Sequence, residues 1–189
     1  LNINKELKAM IYTAISLLIT LLIIINIVNF GSDNYINEAT KSSQRIALNH
    51  LKRPHLNHSS ELGKYPKLKG QKNIELLALK RTNRLYVINN HRVIYIVNAE
   101  INLNPTSTRI NAARGERAFH VKNSKQSIAV NWLSFAKLGY IESIVSVNNH
   151  QVRGNWINDK YHLPNTIEVS KPDAKWLQQL PKETELIVK

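Results

Sequence analysis

Over residues 10–28 the chain reads MIYTAISLLITLLIIINIV, predominantly apolar and without a charge. A helix of that length rises roughly 28 Å, about the hydrocarbon thickness of a bilayer. Thr13, Ser16 and Thr20 can return their hydroxyls to the helix backbone. Residues 31–62 then turn polar: EATKSSQRIALNHLK can form a short helix, and RPHLNHSSEL reads as linker. From GKYPKLKG onward the pattern becomes short runs rich in β-branched and aromatic residues. NIELLAL, RLYVIN and HRVIYIV are strand candidates, the last two joined as a hairpin by INNHR. STRINAA, RAFHV, SIAVNWL, IESIVSV, TIEVS and ELIVK continue the series. One late helix interrupts it. Ser170 caps that helix, Pro172 and Asp173 suit its first turn, Ala174, Trp176, Leu177 and Leu180 form its apolar face, and Pro181 stops it. The pattern predicts a mostly β (α+β) domain over 63–189.

Charge changes the picture in two ways. Lys5 and Lys8 precede the apolar run, and Asp33 and Glu38 follow it, so the positive-inside rule places residues 1–9 in the cytoplasm and the remainder outside. A cleavable signal would have a shorter apolar core and a small-residue cleavage site. NFGSDNYINEA offers no good one, so residues 10–30 are read as an uncleaved, single-pass anchor and 31–62 as a stalk. The chain also carries 26 Lys+Arg against 13 Asp+Glu, a formal charge of +13, nearly all of it beyond residue 30. Such a field draws polyanions. Outside a membrane these are acidic headgroups or the teichoic acids of a wall, and nucleic acid is not expected.

Cysteine is absent, which removes disulfides, thiolate metal sites and thiol nucleophiles together. An exported chain without cysteine suits a Gram-positive surface. His50, His55 and His58 lie close in sequence, but Pro54 breaks the helix that would align them, and no metal site is expected. Neither phosphate-loop nor EF-hand spacing occurs, and no G-x-S-x-G elbow surrounds Ser134, Ser143 or Ser146; no cofactor is expected. Glu142 and Glu168 could in principle form a carboxylate pair for glycan cleavage.

Four stretches, in order, resemble the L,D-transpeptidases (YkuD-like domains) of bacterial cell walls. NRLYVINNHRVIYIVNAE is similar to that family's opening hairpin, NPTSTRINAARGERAF to its TPTGTYxI…RG segment, and AVNWLSF to its aromatic strand. SKPDAKWLQQLPKETELIVK is similar to its closing SxPDAxW helix, turn and strand, with Glu183 in place of a glycine. The resemblance implies a β-sandwich-like assembly with a cleft. It also implies a cysteine in an (S/T)HGC-x-(R/N) loop, activated by an upstream histidine. Acyl transfer needs that thiolate, its base and oxyanion donors together.

Counted back from PDAKW, the loop falls on LPNTIEVS. Leu163 takes the Ser/Thr place, Pro164 the loop histidine, Asn165 the glycine, Thr166 the cysteine and Glu168 the arginine. The base position falls at Val145, within Ile144-Val145-Ser146. The residues that would line the family's cleft are Arg114, Trp132, Phe135, Tyr140 and Trp156, suited to a sugar face or a stem-peptide carboxylate. Trp132 and Phe135 read equally as strand core, and Arg114-Gly115 as a turn. Trp156, in the Gly- and Asn-rich RGNWINDKYH, reads as exposed. The expectation is a transpeptidase fold without transpeptidase chemistry, binding or scaffolding at the peptidoglycan or teichoic acid wall, or positioning an active wall enzyme. The alternative is an active wall acyl transferase using Thr166 and a displaced histidine, His150 or His162.

Overall fold

The structure is a computed structural model and describes residues 10–21, 38–122, 125–152, 154–158 and 162–189. The chain divides into two compact units, Leu1–Glu38 and Ala39–Lys189. In the first, residues 10–21 form helix α1. The Thr13 and Thr20 hydroxyls donate to the Met10 and Ser16 carbonyls at 2.9 and 2.8 Å. The rest of the expected anchor lies outside the described residues, and among those described no helix is long and apolar enough to cross a membrane.

The second unit holds helix α2 (Glu38–His50), strands β1 (Ile74–Leu79), β2 (Arg84–Asn89), β3 (Arg92–Asn102), β4 (Thr106–Lys122), β5 (Lys125–Phe135), β6 (Gly139–Val147), β7 (His150–Gln151) and β8 (Thr166–Val169), helix α3 (Lys171–Leu177) and β9 (Glu185–Val188). The hydrogen-bonded order is β5-β4-β9-β1-β2-β3-β8-β6-β7, and β5 also pairs with β6. The ladder therefore closes on itself. Two long strands make the corners. The first half of β3 pairs with β2 and its end, Ala99–Asn102, with β8. Likewise β4 pairs first with β9 and then with β5. STRINAA and RAFHV, expected as two strands, are thus one. Arg114-Gly115 lies inside it at a shift of register, not at a turn.

Apolar runs such as LYVI do not alternate because both faces of their strands are covered. Leu76, Ala78, Leu85 and Val87 point into the main core, which α3 joins with Ala174, Trp176 and Leu177, and Leu180 just beyond it. Their neighbours Leu77, Tyr86 and Ile88 face outward and are covered by Ala47, with Leu48 and Leu51 packed alongside. The expected stalk is accordingly part of the folded unit from Thr40 onward. Ser43 Oγ accepts the Val93 amide at 2.9 Å, and Leu56 is buried with its carbonyl on the Lys171 amide at 2.8 Å. The β2–β3 turn is the two-residue type expected from INNHR: Asn90 and His91 have φ of 48° and 60°.

The SxPDAxW-like stretch proves to be a structural fastener. Ser170 caps α3 by accepting the Asp173 amide. The fully buried Asp173 carboxylate accepts from the Ser60, Ser170 and Tyr65 hydroxyls at 2.6, 2.6 and 2.8 Å. Trp176 stacks on Tyr65 with ring centroids 4.9 Å apart and donates its indole N–H to the Pro66 carbonyl.

Candidate functional site

Thr166 opens β8, between Asn102 of β3 and Tyr140 of β6. It is 2% exposed, and its hydroxyl donates to the Leu163 carbonyl at 2.5 Å. That hydroxyl closes the preceding turn. Pro164 brings no amide proton to the loop. Asn165 does what the missing glycine would have done: its φ is 61°, its amide donates to Asn102 and its carbonyl accepts from Tyr140. The sharp turn that a glycine would allow is therefore kept.

The loop forms one wall of a cleft of about 380 Å³, lined by Phe119, His120, Val121, Leu138, Tyr140 and Leu163–Thr166. Val145, at the expected base position, does not line it; Val145 and Ser146 open onto a different groove. The histidines singled out in sequence do not complete the site either. His150 lies in β7, and His162 faces Glu168, Nδ1 to Oε2 3.3 Å. The histidine that enters the Thr166 cleft is His120. Its Nε2 lies 2.8 Å from Glu142 Oε2, and its ring tilts against Tyr140 with centroids 5.2 Å apart. The Glu142 hydrogen bond holds the imidazole pKa above its usual value, against the opposing pull of burial.

Glu142 and Glu168 are register partners on parallel strands, and both are buried, at 0% and 3% exposure. Burial pushes the Glu168 carboxyl up, with the Glu142 charge adding to it. Neither carboxylate lines the Thr166 cleft or the groove around Val145. Glu142 Oε1 has no hydrogen-bond partner among the described residues. His120 escaped sequence reasoning; Glu142 and Glu168 were read as a pair for glycan cleavage, but not as buried register partners. The available signal was a charged residue in the middle of each of two strands that are otherwise buried.

The five expected cleft residues separate. Tyr140 lines the Thr166 cleft, and Trp132 meets it edge-on at 5.7 Å. Phe135 is in the core at 2% exposure. Trp156, expected as exposed, is 3% exposed with its N–H on the Glu168 carbonyl at 3.3 Å. Arg114 holds the chain leaving α3: its guanidinium donates to the Gln178, Leu180 and Asn111 carbonyls.

The groove that contains Val145 encloses about 1010 Å³. Arg117, Lys171 and Lys175 line it with His55, and one acid, Glu116, shares it. None of the three cations is paired with a carboxylate among the described residues. Nor is any group of three or more His, Cys, Asp or Glu there arranged to hold a metal ion.

No protein-family model matches the chain, and no curated protein matches it. Solved structures do. An LD transpeptidase in complex with imipenem superposes with a TM-score of 0.51 at 10% identity, over 77% of this chain and 85% of that one. The fold is L,D-transpeptidase-like. The L,D-transpeptidase of Stackebrandtia nassauensis gives a TM-score of 0.50 at 11% identity, over 69% of this chain. A fused Zn-dependent amidase/peptidase/peptidoglycan-binding domain-containing protein from Clostridium acetobutylicum gives 0.49 at 13% identity, over 82% of this chain. The chain spans 62% of the length of each of the last two proteins. On this L,D-transpeptidase-like fold, the cleft beside β8 carries a buried threonine and a glutamate-held histidine.

Proposed function

We propose that this chain is an outward-facing, membrane-anchored module of the cell wall that binds an anionic wall polymer and performs no transpeptidation. One observation carries the reading: the residue at the nucleophile position is a buried threonine whose hydroxyl is committed to the Leu163 carbonyl. An alcohol is far less acidic than a thiol and needs a positioned base to attack an acyl group. The fold and the +13 charge favour the wall as the setting. The unpaired cations Arg117, Lys171 and Lys175 favour a phosphodiester polymer of the teichoic acid type in the large groove. Peptidoglycan itself is the other wall ligand, and an active wall enzyme the other partner, that this reading admits.

The test uses the full chain. Sedimentation with isolated walls is expected to retain it, and stripping teichoic acid or raising salt is expected to release it. Retention unchanged by both would overturn the polymer as ligand. A second reading, acyl transfer through Thr166, has one observation in its favour, since His120 lines the same cleft. Incubation with disaccharide-peptides followed by intact-mass measurement decides between them. No added mass is expected; an adduct abolished by Thr166→Ala would establish the enzyme.

A further inference from the structure

Among the described residues of the second unit, five large apolar side chains stand exposed, and three of them meet at one place. Phe119, Val121 and Leu138 are 62%, 63% and 69% exposed and rim the same cleft. Phe119 and Val121 sit two apart near the end of the β4–β5 hairpin, so they leave the same face of β4, while His120 between them turns to Glu142. Leu138 belongs to the β5–β6 turn. Charge accompanies the apolar rim. The hairpin sequence AFHVKNSKQ carries Lys122 and Lys125 and no acid, and Lys137 precedes Leu138.

We propose that this rim is a membrane-contacting tip, with Phe119, Val121 and Leu138 entering the interfacial layer of an anionic bilayer. Single apolar side chains protruding from a hairpin end and a turn suit a fluid apolar layer better than the shaped surface of a folded partner. Neighbouring cations suit acidic headgroups. The inference stands beside the proposed anchor and polymer groove without using either. It gives the folded unit its own contact with the membrane.

The absence of cysteine makes the test direct. Val121→Cys or Leu138→Cys in the full chain, labelled with an environment-sensitive fluorophore, is placed with vesicles carrying brominated acyl chains, with or without phosphatidylglycerol. Lys72→Cys, lining a separate cleft, is the control. The expected result is quenching at 121 and 138 but not at 72, in anionic vesicles and not in neutral ones. Adding Phe119→Ser is expected to weaken tip insertion by about tenfold, the factor that burying one such side chain represents. Vesicle-bound chain with unquenched tip labels would overturn the tip and leave the anchor standing. Binding to anionic vesicles alone, with quenched tips, would sustain the tip and sink the anchor. Self-quenching that needs no lipid would assign the rim to a second copy of the chain, overturning the proposal. So would a chain that binds neither vesicle.

Discussion

Gly139 sits where a side chain has no room: a Cβ there would lie 2.2 Å from the Phe135 ring. Phe135 is a core residue at 2% exposure and cannot swing away without opening the barrel interior. Gly139→Ala is therefore expected to cost about 1–3 kcal/mol, read as a lower denaturant midpoint at unchanged slope. Glu61 makes a second prediction at this scale. Burial raises its carboxyl from an ordinary value near 4.5 to about 7, against the Ile96 amide that favours the ionised form. The folded chain thus keeps a proton that the unfolded chain releases. Stability falls as pH rises from about 4.5 to about 7. Glu61→Gln is expected to flatten that part of a stability-against-pH profile. Sequence reading placed Glu61 in a linker, because the Leu51–Glu61 bridge and the Ile96 amide that bury it are tertiary partners.

At the scale of elements, α3 was readable almost residue for residue. Its cap, first-turn proline and apolar face are local rules, but it ends at Leu177, before Leu180 and the Pro181 expected to stop it. Asp173 shows what such rules leave out. It was read as a charge favouring the helix start, yet its carboxylate gathers three hydroxyls from the former linker, α3 and the start of the domain. Removing it leaves those donors unpaired. Asp173→Ala is expected to lose about 3 kcal/mol or more in chemical unfolding. Arg114, read as a cleft residue, lies in β4 and holds the chain leaving α3. Arg114→Met is expected to cost about 1.5–3 kcal/mol, the range for hydrogen bonds to a charged group, while wall retention stays unchanged. The merging of two expected strands into β4 was also beyond local reading. Gly115 looks like a turn residue, but it lies flat beneath the Trp132 indole, which a Cβ would meet at 2.9 Å.

For the molecule as a whole, the family resemblance carried the architecture, and the kind of elements was legible. Barrel closure was not: β9 lies between β1 and β4, and β8 between β3 and β6, pairings that join residues far apart in the chain. Thr166 and Pro164 both line the cleft beside β8, and their positions came from counting. His120 did not, because it reaches the cleft by folding β4 over β6. Deleting residues 185–189 removes the strand that bridges β1 and β4. The truncated chain is expected to show no cooperative thermal transition by circular dichroism.

That placement of β9 bears on how the protein is made. Strand β1 must wait for β9, far along the chain, before its second edge is covered. A chain leaving the ribosome cannot lock this barrel early, and it stays pliable until β9 has emerged.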